Sequence, residues 1–130
     1  MNAKKGTVLL VDDDQDFLSQ QKSLLESLGF ETLVASGREE AEAHLKAGLF
    51  DLAILDLMME EGDAGFVLAH RIKRMKPTLP VILVTSVTHE TGLEFALEGK
   101  GDSSWIKADA LLAKPVRFEQ LQREVERLLP

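Results

Sequence analysis

The sequence predicts an α/β fold, a doubly wound five-stranded parallel sheet with helices on both faces. Two observations lead there. Short apolar runs without polar alternation recur along the chain, as expected of strands covered on both sides. Between them lie stretches whose apolar residues fall at helical spacing. Right-handed crossovers then wind such an alternating chain onto both faces of one sheet. A length of 130 residues fits one domain.

Each element has its own signal. Thr7-Val8-Leu9-Leu10-Val11 is a short apolar run that ends abruptly in acid, a first strand. Phe17, Leu24, Leu25 and Leu28 form one helical stripe, closed by Gly29. Phe30 to Ala35 reads as the second strand. Ser36 as N-cap with Glu39 as its capping-box partner opens a helix bearing Ala41 and Leu45, which runs to Gly48. Leu49 to Leu57 holds the third strand, interrupted by Asp56, and Met58 to Gly65 is an acidic, glycine-bearing loop. Leu68, Ile72 and Met75 mark a third helix stopped by Pro77. Val81 to Val84 is the fourth strand. Leu93, Ala96 and Leu97 suggest a short helix, broken by the stretch from Gly99 to Ser104. Ala110 to Ala113 forms the fifth strand, and Phe118, Leu121, Val125 and Leu128 mark the last helix.

Composition narrows the function. Apolar residues make up 45% and charged residues 28%, which excludes a disordered chain. With no cysteine, disulfides, thiolate catalysis and zinc–cysteine sites are excluded. The net charge of −7 offers no positive footprint for nucleic acid. Arg71, Lys73, Arg74 and Lys76 read as the solvated face and last turn of a helix. The longest apolar run, Leu52 to Leu57, is too short to cross a membrane, and no secretory signal opens the chain. A cytoplasmic protein without membrane contact is expected.

In a doubly wound sheet the site lies beyond the carboxyl ends of the strands. Asp12, Asp13 and Asp14 follow the first strand, Asp56 ends the third, Thr85 and Ser86 follow the fourth, and Lys114-Pro115 follows the fifth. Crowded carboxylates resist ionisation together unless a cation joins them. Oxygen-only ligation with few protein ligands suits Mg²⁺. A carboxylate can attack phosphorus, while an ammonium and a hydroxyl hold phosphoryl oxygens.

Val11-Asp12-Asp13, Ile54-Leu55-Asp56, Val84-Thr85-Ser86 and Lys114-Pro115, in this order and spacing, resemble the receiver domain of two-component response regulators. Asp63-Ala64-Gly65-Phe66 resembles that family's entry into the third helix. The resemblance spans Thr7 to Leu129 and implies a flavodoxin-like strand order of 2-1-3-4-5. It implies that residues 1–130 form a single receiver domain, with an extended irregular segment 86–109 before the last strand. It further implies that Asp56 accepts phosphate from a sensor histidine kinase or phosphotransfer protein. Asp12, Asp13, Asp56 and the backbone carbonyl of Met58 would hold Mg²⁺, with Asp12 acting through water. Thr85 would be the switch hydroxyl, and Lys114 would pair with the phosphoryl group and precede a cis proline bond. The domain would catalyse its own phosphorylation and dephosphorylation rather than turn over an external substrate. A downstream effector is implied, and a phosphorylation-dependent homodimer is open.

The sequence departs from the family in four places. Met59 is followed by Glu60 where proline is usual. Met58 and Val87 are apolar where side chains orient a hydrolytic water, so a long-lived phosphoryl group is expected. Leu111 stands where an aromatic residue is frequent. Segment 86–109, with Trp105, is long and is expected to affect partner choice. Two other readings remain open at this point. One is a docking module of the same fold that works without phosphorylation. The other is a phosphatase using Asp12 and Asp14, against which Asp16 and Phe17 replace the threonine expected there.

Overall fold

A computed structural model describes residues 5–57, 64–85 and 108–129. The elements run β1 (Thr7–Val11), α1 (Gln15–Ser27), β2 (Glu31–Ala35), α2 (Arg38–Ala47), β3 (Leu52–Asp56), α3 (Ala64–Met75), β4 (Val81–Thr85), β5 (Ala110–Ala113) and α4 (Phe118–Leu128). The strands form one sheet in the order β2-β1-β3-β4-β5, and every pairing is parallel. The expected fold class and strand order are therefore present. The predicted short helix and segment 86–107 lie outside the described residues.

The period-two alternation of the strands divides the core in two. Leu9, Val11, Ala53, Leu55, Val81 and Leu83 face α2 and α3, where they meet Ala41, Leu45, Leu68 and Ile72. Val8, Leu10, Leu52, Ile54, Ile82, Val84 and Leu112 face α1 and α4, where they meet Leu18, Leu25, Leu121 and Val125. Because β1, β3 and β4 are covered on both faces, their sequences carry no polar alternation.

Several local expectations shift. In α1 the buried line is Leu18, Gln21 and Leu25, whereas Phe17, Leu24 and Leu28 are only partly buried. Asp14 caps this helix by accepting from the Asp16 and Phe17 N–H groups, and Gly29 follows the Leu28 cap with φ +99°. The third strand starts at Leu52 rather than Leu49. Asp51 turns aside so that its carboxylate accepts from the Thr7 N–H at 2.9 Å, and Leu49 is exposed. Met75 is half exposed and outside the core. Lys73 is less solvated than expected, since it pairs with Asp109 at 2.7 Å.

The Ser36–Glu39 capping box does not form. Gly37 is the N-cap of α2, and Glu40 reaches back to the Ser36 hydroxyl and to the Ser36 N–H at 2.9 Å. Those two hydrogen bonds hold the Glu40 carboxyl below the ordinary glutamate pKa. A depressed carboxyl pKa gives stability that is complete above the unfolded value and is lost as pH falls through the folded one. Wild type should therefore melt above Glu40→Gln at neutral pH, with the two melting curves converging on acidification below the ordinary glutamate range.

Candidate functional site

Alternation also explains how distant acids meet. Asp12 extends the row of Val8 and Leu10, Asp56 extends that of Leu52 and Ile54, and Lys114 extends that of Ala110 and Leu112. All three rows lie on the face covered by α1 and α4. The strands are parallel and in register, with Val11 beside Leu55, Asp56 beside Val84 and Thr85 beside Ala113. Their carboxyl ends therefore share one rim. Backbone bonds continue past the strands, from Asp12 N–H to Ala35 O (3.1 Å), Leu57 N–H to Val84 O (2.8 Å) and Lys114 N–H to Thr85 O (2.8 Å).

At this rim, carboxylate oxygens of Asp12, Asp13 and Asp56 lie within 4.8 Å of one another. The Lys114 ammonium stands 2.9 Å from Asp12 Oδ2 and 3.7 Å from Asp56 Oδ2. Asp12 is fully buried, Asp56 and Thr85 are nearly so, and Asp13 is partly exposed. The second Asp12 oxygen, Oδ1, accepts from the Asp14 N–H at 2.9 Å. The structure thus brings Asp12, Asp13, Asp56 and Lys114 together, with Thr85 ending the neighbouring strand. The Lys114–Pro115 bond is cis, as expected. Met58 and Val87 lie outside the described residues.

Buried charges persist only when paired. Burial alone would favour the neutral lysine amine. That effect is outweighed by the hydrogen bond and charge of Asp12, with Asp56 and Asp14 adding to it, so the Lys114 pKa is raised. Three carboxylates this close together, an oxygen-only donor set, fit a hard divalent cation that keeps several of its waters.

Sequence reasoning missed two neighbours of this cluster. Phe17, read as part of the core stripe, lies beneath Lys114 with the ammonium 4.5 Å from its ring centroid, a cation–π contact. Gly65 sits in the first turn of α3, where an added Cβ would lie 1.8 Å from the carbonyl oxygen of Asp56. The only hint of that closeness was the resemblance of Asp63 to Phe66 to a family entry loop. An open groove of about 380 Å³, lined by Phe17, Gln20, Gln21 and Pro115 among others, leads to Lys114 from the α1 side.

The family model described as the response regulator receiver domain matches residues 8–126. The transcriptional regulatory protein ZraR of Salmonella typhimurium is 32% identical over 127 residues, which are 96% of this chain and 26% of that protein. The alginate biosynthesis transcriptional regulatory protein AlgB of Pseudomonas aeruginosa is 34% identical over 119 residues, which are 92% of this chain and 25% of that protein. The chain thus spans about a quarter of the length of these curated relatives. Among solved structures, the Thermotoga maritima response regulator TrrA, in complex with Mg²⁺-BeF, superposes with a TM-score of 0.78 at 31% identity. That match covers 95% of this chain and 98% of TrrA. The signal receiver domain of a Syntrophus aciditrophicus histidine kinase superposes with a TM-score of 0.77 at 32% identity, covering 95% of this chain and 89% of that one.

Proposed function

This chain belongs to the response regulator receiver domain family, and from that premise we propose that Asp56 is its phosphoacceptor. One observation carries the reading. Asp12, Asp13 and Asp56 converge within 4.8 Å, and a lysine ammonium reaches two of them. As a receiver domain the protein is a signalling module with a kinase partner upstream and an effector downstream. We further propose that residues 1–130 act as one such module.

The mechanism follows from the chain's own groups. An Asp56 carboxylate oxygen attacks the phosphorus of a phosphohistidine on a sensor kinase or phosphotransfer protein. The P–N bond breaks, the imidazole leaves, and an acyl phosphate forms on Asp56. Asp12, Asp13 and Asp56 would hold Mg²⁺, as would the Met58 carbonyl. Bound there, the ion would neutralise charge on the phosphoryl oxygens. Lys114 exchanges its carboxylate contact at Asp56 for the new phosphoryl oxygens, and the Thr85 hydroxyl donates to another. Each group then makes different contacts in the two states, which is what a population shift requires. The domain would thus catalyse its own phosphotransfer. The side chains of Met58 and Val87 are apolar and do not orient a hydrolytic water, so a long-lived phosphoryl state is part of this reading.

Acetyl phosphate with Mg²⁺ tests the reading without a kinase. Intact mass should rise by one phosphoryl group, the adduct should map to Asp56, and both EDTA and Asp56→Asn should abolish it. No adduct on the wild-type chain would favour a docking module that works without phosphorylation.

A further inference from the structure

Lys114 can serve the site only if β5 keeps its register, and the apolar pattern of β5 does little to fix that. The strand reads Ala110-Leu111-Leu112-Ala113, so a slip of one residue merely exchanges one leucine for the other. A slip of one residue also turns every side chain to the opposite face. Among the described residues β5 is the edge strand and pairs with β4. Residues 86–109 separate the two in the chain, too long a connection to fix their alignment as a tight turn does.

A polar anchor stands where β5 begins. The Asp109 N–H donates to Val81 O at 2.7 Å, and Asp109 Oδ2 accepts from the Val81 N–H at 2.8 Å. One residue thereby grips both backbone groups of the residue that starts β4. Lys73 Nζ, from α3, donates to the same Asp109 oxygen at 2.7 Å and to Leu79 O at 2.8 Å. Arg127 Nη2, from α4, donates to Asp109 O at 3.2 Å. Three elements thus hold Asp109, five residues before Lys114 in the chain.

We propose that Asp109 is a positioning residue: its clasp on Val81 sets the register of β5 and so delivers the Lys114 ammonium to Asp12 and Asp56. The proposal rests on the role given to Lys114 above. The backbone-accepting oxygen is the essential part. In the Lys73 pair the Asp109 side chain is 36% exposed, and exposure to solvent weakens an ion pair.

The test compares Asp109→Ala, Asp109→Asn and Lys114→Ala in the full chain. It reads hydrogen exchange strand by strand, Mg²⁺ affinity by calorimetry, and the rate of Asp56 labelling by acetyl phosphate. Asp109→Ala should speed exchange of the Leu111–Lys114 amides by at least about tenfold with β1 and β3 unchanged, since local opening is resolved by element. Labelling should fall on the order of tenfold or more, as for a displaced catalytic group, while Mg²⁺ affinity does not fall. Asp109→Asn keeps an acceptor for the Val81 N–H and should recover both β5 protection and labelling. The proposal fails if Asp109→Ala leaves β5 exchange or labelling at wild-type values, if all strands loosen together, or if asparagine fails to rescue. Wild-type labelling in Lys114→Ala would overturn the role of Lys114, and with it the functional half of the proposal. The exchange data would still report on the clasp separately.

Discussion

Gly65→Ala should destabilise the domain, although alanine favours a helix over glycine by about 1 kcal/mol. Gly65 lies inside α3, so helix propensity alone predicts a gain. Sterics predict the reverse. The new Cβ would stand 1.8 Å from Asp56 O, 2.6 Å from Asp56 C and 2.8 Å from Leu57 Cα. All three atoms belong to backbone, so no side chain can rotate away. Either α3 lifts off the sheet or the end of β3 moves. Forced overpacking costs about 1–3 kcal/mol and sometimes more, and a clash with backbone belongs at the upper end. The net loss should be about 2 kcal/mol or more, which outweighs the propensity gain. For a domain of this size that is a fall in melting temperature on the order of 10 °C, readable by circular dichroism. Because the displaced atoms carry Asp56, phosphoryl labelling should fall too. A melting temperature equal to or above wild type would refute the close approach of α3 to Asp56.

Lys114→Ala should produce the second large effect. The change leaves Asp12, fully buried, without the ammonium 2.9 Å from its Oδ2. It also removes the group proposed to follow the phosphoryl oxygens. Loss of one preorganised group that meets developing charge lowers rates by roughly 10²–10³-fold. Acetyl phosphate labelling of Asp56 should fall by about that factor. Mg²⁺ affinity should hold or rise, because an arriving cation no longer competes with a fixed positive charge. Lys114→Arg should lie between, since a planar guanidinium keeps the charge but not the compact point-charge geometry. Equal losses of labelling and Mg²⁺ affinity would mean that Lys114 organises the acids rather than the phosphoryl group.

The site was legible in the sequence because each of its charged residues interrupts or follows an apolar strand. Asp56 closes Leu52–Leu55, and Lys114 stands between Ala113 and Pro115. Once the strands are parallel, those positions can only share a rim. Less legible were contacts set by three-dimensional approach. Phe17 looked like core because its spacing to Leu24 and Leu28 is helical, yet its ring supports Lys114. The buried line of α1 runs through Gln21, which an apolar pattern cannot reveal. The cap of α2 moved by one residue because Glu40 rather than Glu39 reaches Ser36. Asp109 carries no local signal of the start of β4 that it meets, and Gly65 has only the resemblance of Asp63 to Phe66 to a family entry loop to hint at the end of β3.

A crystal structure grown with Mg²⁺ and beryllofluoride bears most directly on the phosphoacceptor assignment. The beryllium should bond to an Asp56 carboxylate oxygen, with fluorides met by Lys114 Nζ and the Thr85 hydroxyl and the metal held by Asp13 and Asp56. Beryllofluoride on any other carboxylate, or Asp13 and Asp56 turned away from a shared metal, would contradict the account.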